Sequence, residues 1–381
     1  MIRLEDKKDC TGCGACAQAC PAACIALTED HEGFLYPQID TDRCIDCSLC
    51  QKVCPVINQG TEREPLKCFA ARSCSDKIRR ESSSGGLFTH LSQQTIEQGG
   101  VVYAAAFDTQ WQVRHTSAQS IEELAPFRGS KYVQSRVEQT FIEAREALQS
   151  GRKVLYSGTP CQIAGLKLFL GSDQENLLTV EVLCHGVPSP KVWGEYLRGV
   201  SGGDISAIGS VTFRDKSTSW RRFSLKICST SGELLLREPL DVNTFLRGFN
   251  KGIFLRPSCY ACPAKSHKSG SDITLGDYWG VERSHKKFND NRGTSLVICN
   301  TVKGLGAMQG IDIIASESSY VEAIKSNPAA TRSTMLPASR EKFFEAIDTD
   351  MQRALKEQLA QRLHTRIIRS LKIAFYTILK R

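Results

Sequence analysis

The chain has 381 residues, 41% of them hydrophobic and 24% charged, which suits two or three domains with ordinary hydrophobic cores. Its net charge of +8 favours acidic partners, but the basic residues are not interleaved with aromatic ones, so we predict no nucleic-acid partner. No segment approaches the roughly 20 apolar residues of a membrane span. Residues 1–9 lack the apolar core of a signal peptide. Seventeen cysteines therefore indicate metal ligation in a reducing compartment, which predicts a cytoplasmic protein.

Two runs of cysteine in the first 55 residues repeat the pattern C-x2-C-x2-C-x3-C-P. Three thiolates spaced by two residues can wrap one corner of an iron–sulfur cube, while the fourth lies too far round the turn and ligates the other cube. We therefore predict two [4Fe-4S] clusters, and neither a disulfide framework nor paired zinc sites explains the doubled pattern. The predicted ligands of the first are Cys10, Cys13, Cys16 and Cys54, and those of the second are Cys44, Cys47, Cys50 and Cys20.

The first 60 residues thus resemble a bacterial two-cluster ferredoxin domain. Cys24 adds a fifth cysteine to the first run, either as a small apolar filler or as an alternative ligand. The polar, turn-rich segment 59–65 then predicts a linker to the rest of the chain.

Residues 82–88, SSSGGLF, precede a helical pattern that ends at Gly99. Hydroxyls and glycines ahead of a helix leave backbone N–H groups free for a phosphate, although serine caps and glycine turns are also ordinary structure. Residues 127–135, FRGSKYVQS, combine cations, hydroxyls and an aromatic ring. This stretch suits either an anionic, planar cofactor or a solvated loop.

Two cysteines follow predicted strands. Cys161 stands in a turn that enters a helix, whose positive end would stabilise a thiolate, and Cys184 ends the next strand. A C-x2-C pair, Cys259 and Cys262, comes later in the chain. Four thiolates converging from three loops suit a third [4Fe-4S] cluster, with tetrahedral zinc as the alternative.

The last part of the chain is helical and basic from Ser339 onward. Eight lysines or arginines and one acid lie between Arg353 and Arg381, with apolar residues at helical spacing. This pattern predicts either a terminal helix packed on the body or an interfacial helix that makes peripheral contact with an anionic membrane.

From about Ser82 to Thr301 the chain resembles the family of coenzyme F420 hydrogenase/dehydrogenase beta subunits. The resemblance is carried by SSSGGLF (82–88), FRGSKYVQS (127–135), SGTPCQIAGL (157–166), CHGVPSP (184–190), FRDK (213–216), RPSCYAC (256–262) and SDITLGDYWG (271–280). It implies a non-covalent FAD beside a [4Fe-4S] cluster. Members of the family include F420-reducing subunits, chlorophyll-derivative reductases and bacterial proteins associated with surface-polysaccharide synthesis.

The resemblance also implies the site residues. The FAD-binding residues would be Ser83, Ser84, Gly85, Gly86, Gly129, Ser130, Lys131, Tyr132 and Gln134. The third cluster would be ligated by Cys161, Cys184, Cys259 and Cys262. Lys131 would hold phosphate or polarise a flavin carbonyl, and His185 and Asp277 would be proton donors beside the ring.

Together these observations predict a mixed α/β and α+β protein in four parts. A 2[4Fe-4S] ferredoxin domain (1–60) precedes the FAD-binding part (66–150) and the third-cluster, catalytic part (151–335) of one domain, and a basic helical tail (336–381) ends the chain. The predicted function is an iron–sulfur flavoprotein oxidoreductase that takes electrons from ferredoxin or a similar low-potential donor, with polysaccharide-synthesis enzymes as partners. The alternative is an electron-transfer subunit without a substrate of its own.

Overall fold

The computed structural model describes residues 1–360. The first 60 residues form a small unit, called the ferredoxin module below. It consists of two short helices, α1 (Ala15–Gln18) and α2 (Leu49–Lys52), and an antiparallel pair of strands, β1 (Ile25–Glu29) and β2 (Leu35–Ile39). Ile2, Cys16, Cys50 and Cys54 pack together as its small core, so thiols replace many of the aliphatic side chains that such a core would normally need.

The remainder of the described chain is built on an eight-stranded mixed sheet with the order β13-β3-β12-β11-β7-β6-β4-β5. Its strands are β3 (Lys67–Ser73), β4 (Val101–Phe107), β5 (Val113–Ala118), β6 (Val154–Gly158), β7 (Leu177–Val182), β11 (Ile273–Asp277), β12 (Ser295–Cys299) and β13 (Ile313–Ser318). The four central strands β4, β6, β7 and β11 are parallel. Their carboxyl ends therefore open onto one edge of the sheet, where α/β proteins place their chemistry.

The residues at the start of one helix of this domain favour helix formation. The helix α6 starts at Pro160, and its cap Thr159 and Gln162 form a reciprocal capping box. The helices around the sheet are α3 (Asp76–Glu81), α4 (Leu87–Glu97), α5 (Thr140–Gln149), α6 (Pro160–Leu170), α7 (Pro190–Val200), α8 (Thr244–Asn250), α9 (Val281–Ser284), α10 (Val302–Ala307), α11 (Tyr320–Lys325) and α12 (Ser339–Leu359).

A second layer carries the largest aromatic core of the described chain. A three-stranded antiparallel sheet, β8 (Ile208–Asp215), β9 (Ser224–Ser229) and β10 (Leu234–Pro239), packs with α7, α8 and α12. Trp193, Phe213, Phe245 and Phe343 are buried in this core. Phe34 of the ferredoxin module belongs to the same core, so the two parts share packing.

The predicted fold class, a mixed α/β domain after a ferredoxin-type module, is confirmed. The helix predicted after the glycines at 85–86 is present as α4, and the strand β4 (Val101–Phe107) follows it. The predicted C-terminal helix is present through Leu359 and packs on the body with Phe343 and Leu355 buried. The rest of the basic tail, residues 361–381, lies outside the described residues. None of the helices within 1–360 is long and apolar enough to cross a membrane.

Candidate redox site

One cavity of the ferredoxin module gathers the thiols predicted to bind the second cluster. Its walls include Cys20, Cys44, Cys47 and Cys50, together with Cys24, and Ile25, Ile39 and Ile45 are among its apolar residues. Thus Cys20 of the first run turns toward the second run, as the spacing led us to expect. An apolar cavity lined by these thiols suits an iron–sulfur cluster, and the exchange of the fourth ligand stays a prediction.

The other four thiols of the module also converge. Burial, together with Cys10 and Cys54, raises the pKa of Cys16 to about 12, and burial, Cys16 and Cys10 raise that of Cys13. Thiolates that raise one another's pKa in this way lie close together and need a cation to share the site. These four residues are called the first set below, and Cys20, Cys44, Cys47 and Cys50 the second set.

A third set of thiols lies at the carboxyl edge of the parallel strands. Cys161 is in the first turn of α6, and Cys184 follows β7. Cys259 lies within the 3₁₀ turn Pro257–Ala261, and Cys262 directly follows that turn. The charges of Cys262 and Cys184 help to raise the pKa of Cys161. The pKa of Cys259 is raised in the same way by Cys184, Cys161 and Cys262. The fold therefore brings together the four cysteines that the sequence suggested as a group.

Burial opposes free thiolates in this third set. It raises the pKa of Cys161 to about 12 and that of Cys184 to about 11. Desolvation raises the pKa of Cys161 more than the 3.2 Å contact with the hydroxyl of Thr159 lowers it, and the expectation of a stabilised thiolate at the helix terminus stays a prediction. Metal binding would reverse the preference, since a coordinated thiol is deprotonated.

Backbone donors and a lysine surround the third set. The N–H of Val187 donates to Sγ of Cys259 at 3.4 Å, and Nζ of Lys265 donates to the carbonyl of Cys184 at 2.6 Å. Within residues 1–360, no three Cys, His, Asp or Glu side chains converge tightly enough to hold a single metal ion. A four-iron cube presents a separate iron to each thiolate, so its ligands stand further apart than those of one zinc ion.

Two distant segments of the sequence meet beside this edge of the sheet. Oγ of Ser83 lies 2.8 Å from Oγ of Ser130 and accepts a hydrogen bond from the backbone N–H of Ser130 at 2.6 Å. Arg128 forms an ion pair with Glu81 at 2.5 Å between the same segments. The structure thus joins the two stretches that the sequence assigned to one cofactor.

Two half-buried lysines flank this junction. Nζ of Lys131 donates, within residues 1–360, only to the carbonyls of Arg128 and Gly129, at 3.2 and 3.3 Å, and desolvation lowers the pKa of Lys131 to about 7. Burial also lowers the pKa of Lys216 to about 7. Lys216 donates to three backbone carbonyls, those of Arg79, Ser84 and Arg292. An anion bound here would restore the positive charge of both lysines.

The glycines of the SSSGGLF stretch serve its packing and its turn. A Cβ at Gly85 would stand 2.4 Å from the carbonyl oxygen of Ala71, so a side chain would not fit there. Ser84 is buried and donates to the carbonyl of Thr294. Gly86 caps α4, and Gly129 lies in open space.

A cationic and aromatic cluster extends from the junction. Arg214 is buried and binds Asp277 through two hydrogen bonds of 2.6 and 3.0 Å, while its Nη1 donates to the hydroxyl of Tyr132 at 3.1 Å. Nε of Arg214 is buried with no hydrogen-bond partner in the described chain. The indole of Trp220 also donates to Asp277, at 2.9 Å. Asp277 thus accepts three hydrogen bonds, two from Arg214 and one from Trp220, and its role as a proton donor stays a prediction.

The rings link this cluster to the third set. Tyr132 stacks on Phe249 with centroids 4.6 Å apart, and the Phe249 ring meets the His185 ring edge to face at 5.1 Å. Nε2 of His185 donates to the carbonyl of Phe249 at 3.2 Å, and burial lowers the pKa of His185. His185 is adjacent to Cys184, so the rings form a continuous path from Tyr132 to the third set.

Gln134 has a different position from the one expected of a flavin ligand. Its amide nitrogen donates to the carbonyl of Thr11 at 3.3 Å, and its amide oxygen accepts from Arg256 at 3.1 Å. Thr11 belongs to the ferredoxin module, and Arg256 also donates to that module at Cys10. Both polar groups of the Gln134 side chain are therefore hydrogen-bonded at the contact with the module.

Sequence reasoning missed several residues of the site as functional groups. They are Arg214, Lys216, Trp220, Arg256 and Lys265. The FRDK and RPSCYAC motifs contain three of them, and a cation within a strand that ends in a buried region was the available signal.

The doubled cysteine runs and the thiols they bring together define an iron–sulfur redox protein. Three family models match the chain, of which "4Fe-4S dicluster domain" covers 9–58. The other two describe the "Coenzyme F420 hydrogenase/dehydrogenase, beta subunit", its N-terminal part matching 68–141 and its C-terminal part 151–325. The chain therefore belongs to the family of coenzyme F420 hydrogenase/dehydrogenase beta subunits, with a 4Fe-4S dicluster domain ahead of the family's own two parts.

Relatives agree with this assignment. The F subunit of the F420H2 dehydrogenase of Methanosarcina mazei is 25% identical over 207 residues, which cover 50% of this chain and 58% of the relative. The coenzyme F420-dependent sulfite reductase of Methanocaldococcus jannaschii is 27% identical over 172 residues, 44% of this chain and 26% of the relative. The chain thus spans less than two thirds of the length of these relatives. A chain of the F420-reducing [NiFe] hydrogenase complex from Methanosarcina barkeri has a TM-score of 0.47 at 19% identity, covering 75% of this chain and 95% of that chain.

Proposed function

We propose that this chain is an iron–sulfur flavoprotein oxidoreductase, which takes single electrons from a ferredoxin-class donor and uses FAD to reduce a substrate. The observation that carries this proposal is the continuity of the site. The junction of Ser83 and Ser130 connects through Tyr132 and Phe249 to the third set of thiols. A place for an anionic cofactor and a place for a metal cluster therefore adjoin.

The residues of the junction fit FAD on physical grounds. Desolvation lowers the pKa of Lys131 and Lys216, and a bound anion would stabilise the charged form of both. Nε of Arg214 is buried and has no acceptor within residues 1–360. The Ser83 and Ser130 hydroxyls offer further donors. When bound, a flavin supplies the conversion of single electrons into a hydride pair.

The residues around the junction would hold and orient that group. Lys131 and Ser130 would bind phosphate, and the rings of Tyr132 and Trp279 would flank a planar ring. Arg214 is fixed by Asp277 and would place a positive charge beside the site. His185 is neutral near pH 7 because burial lowers its pKa, so it would donate a hydrogen bond rather than carry a charge.

The third set fits a [4Fe-4S] cluster, held by Cys161, Cys184, Cys259 and Cys262. All four proposed ligands are thiols, and burial raises the pKa values of Cys161, Cys184 and Cys259. The backbone N–H of Val187 donates to Sγ of Cys259. Such N–H···S contacts are among the means by which proteins set cluster potentials.

The first test is the flavin content of the protein purified without oxygen, read from the supernatant after denaturation. About one FAD per chain is expected for a two-electron site. No flavin, even after reconstitution, would contradict the proposal and favour the electron-transfer subunit without its own substrate.

A second test separates the third set from the flavin site. In Cys161→Ser, reduced ferredoxin should no longer reduce the bound flavin, while the exposed control Cys74→Ser should behave as the wild type. Unaffected reduction in Cys161→Ser would contradict the route through the third set.

The substrate and setting follow from the family alone. Coenzyme F420 is named in the family model, and nucleotide- and lipid-linked sugars fit the surface-polysaccharide setting, so these compounds are the first to test with flavin-loaded protein. A cytoplasmic protein with peripheral membrane contact is proposed for the same setting. Ending the chain after Leu359 should then abolish recovery in the membrane fraction and leave the clusters intact; unchanged recovery would contradict the contact.

A further inference from the structure

A fully buried arginine joins the ferredoxin module to the rest of the chain. Arg256 has no exposed surface and directly precedes the turn that carries Cys259. Its guanidinium donates to three acceptors: the carbonyl of Cys10 at 2.7 Å, the carbonyl of Leu35 at 2.9 Å and Oε1 of Gln134 at 3.1 Å. It also lies 4.2 Å from the ring centroid of Tyr36. Arg256 therefore connects a loop of the third set with a ligand of the first set.

A second contact lies on the other side of the first set. The helix α6 presents Gly165 to Cys13, and a Cβ at position 165 would stand 3.0 Å from Sγ and 3.2 Å from Cβ of Cys13. Cys161 lies one turn earlier on the same helix. A Cβ at position 165 would force Cys13 to shift by a few tenths of an ångström, so glycine allows the closest approach of the two cysteine loops.

The second set lies differently. Cys47 is exposed, and the neighbouring Ile45 is 66% exposed. Cys13 and Cys16 of the first set are buried. The two N-terminal sets thus have an inner and an outer position in the assembled chain.

We propose that Arg256 and Gly165 are positioning residues that hold the first set of the ferredoxin module against α6, the helix that carries Cys161. The first set is then the inner one, and the second set is the outer one that meets the electron donor. Each transfer from the donor oxidises a ferredoxin-class protein by one electron and reduces this chain by one, without making or breaking a bond. The role of this contact in electron transfer rests on the proposed function, whereas the docking of the first set on α6 does not.

Other contacts also hold the module. Arg340 forms a buried ion pair with Glu32, and Lys191 donates to the carbonyl of His31. Loss of Arg256 should therefore loosen the first set locally without releasing the whole module. A local measurement is needed for this reason.

The test is hydrogen–deuterium exchange of the full, cluster-loaded chain, comparing Arg256→Met and Gly165→Ala with the wild type. Exchange in segments 10–16 and 160–166 should become at least about tenfold faster in both variants. Arg256→Met removes three hydrogen bonds of a charged donor, and the Cβ of Gly165→Ala crowds Cys13. Arg256→Lys should restore part of the protection, since it keeps the charge and a donor.

Two matched controls separate this effect from general destabilisation. Gly194 lies inside α7, and a Cβ there would have no neighbour closer than 3.7 Å, so Gly194→Ala should leave exchange unchanged. Arg198→Met removes a half-exposed arginine whose partner is Glu195. It should also leave both segments unchanged.

Electron paramagnetic resonance of the reduced protein gives a second readout, the magnetic interaction between the clusters of the first and third sets. It should weaken in Arg256→Met at unchanged iron content and recover partly in Arg256→Lys. Unchanged exchange in either Arg256→Met or Gly165→Ala, an equal change in the controls, or an unchanged interaction despite faster exchange would overturn the proposal. Absence of flavin from the wild-type protein, together with the expected changes of exchange and magnetic interaction in the variants, would count against the proposed function and leave the docking intact.

Discussion

The hydroxyl oxygens of Ser83 and Ser130 lie 2.8 Å apart, although 47 residues separate them in the chain. Ser83 precedes the helix α4, and Ser130 lies in the loop between a 3₁₀ turn at Glu122–Phe127 and α5. This contact joins two segments that were ambiguous on their own, at the place where we propose an anion site. It also brings Lys131, the next residue, to the same place.

Lys131→Met should weaken FAD binding by roughly ten- to a hundredfold, because a charge-assisted hydrogen bond contributes about 1.5–3 kcal/mol. Fluorescence titration of flavin-free protein gives the dissociation constant. Lys153→Met removes an exposed lysine that donates to Gln98 and serves as the control. Equal affinities in wild type and Lys131→Met would remove Lys131 from the site.

The affinity for FAD should also fall as the pH rises through about 7. Burial lowers the pKa of Lys131 and of Lys216 to about 7 in the flavin-free chain, so both lose their charge above that pH. An anion binds the protonated lysines, and binding above pH 7 must therefore take up protons. Dissociation constants measured between pH 6 and 9 should show this trend, with a shallower slope in Lys216→Met. A flat profile would contradict the assignment.

Local signals predicted much of this protein. The spacing of the cysteine runs predicted that Cys20 would face the second run, because the fourth cysteine of such a run lies too far round the turn to reach the cluster of its own run. Strand tips were also readable, since Cys161 and Cys184 follow short apolar runs bounded by glycine and polar residues.

Long-range partners were not readable in the same way. The pairing of Arg214 with Asp277 joins β8 to β11 across 63 residues, and an arginine in a strand is usually an exposed residue. Arg256 gave no sign of its burial in the ferredoxin module, because the acceptors Cys10 and Leu35 are backbone carbonyls, which every residue has. Such contacts depend on how the two parts dock.

The Arg214–Asp277 pair should be important for stability. The side chain of Arg214 is 3% exposed and that of Asp277 is 14% exposed, so removing one charge leaves the other buried without a partner. Asp277→Asn should lower the free energy of unfolding by about 3 kcal/mol or more. Urea unfolding measures this change, and Glu195→Gln, in an exposed pair with Arg198, should change it by less than about 1 kcal/mol. A near-neutral Asp277→Asn would contradict this role of the pair.

Cys24 should be able to replace Cys20 in the second set. Its side chain is buried, lines the same cavity, and its sulfur lies 3.4 Å from that of Cys20. Cys20→Ser should therefore keep most of the iron of the second set, whereas Cys20→Ser combined with Cys24→Ser should lose about four iron atoms per chain, the content of one cube. Iron and acid-labile sulfide analysis of anaerobically purified protein measures this loss, with Cys24→Ser alone as the control of full content. Equal losses in Cys20→Ser and in the double variant would show that Cys24 only fills space, because a thiol that never reaches the metal cannot protect the cluster when the native ligand is gone.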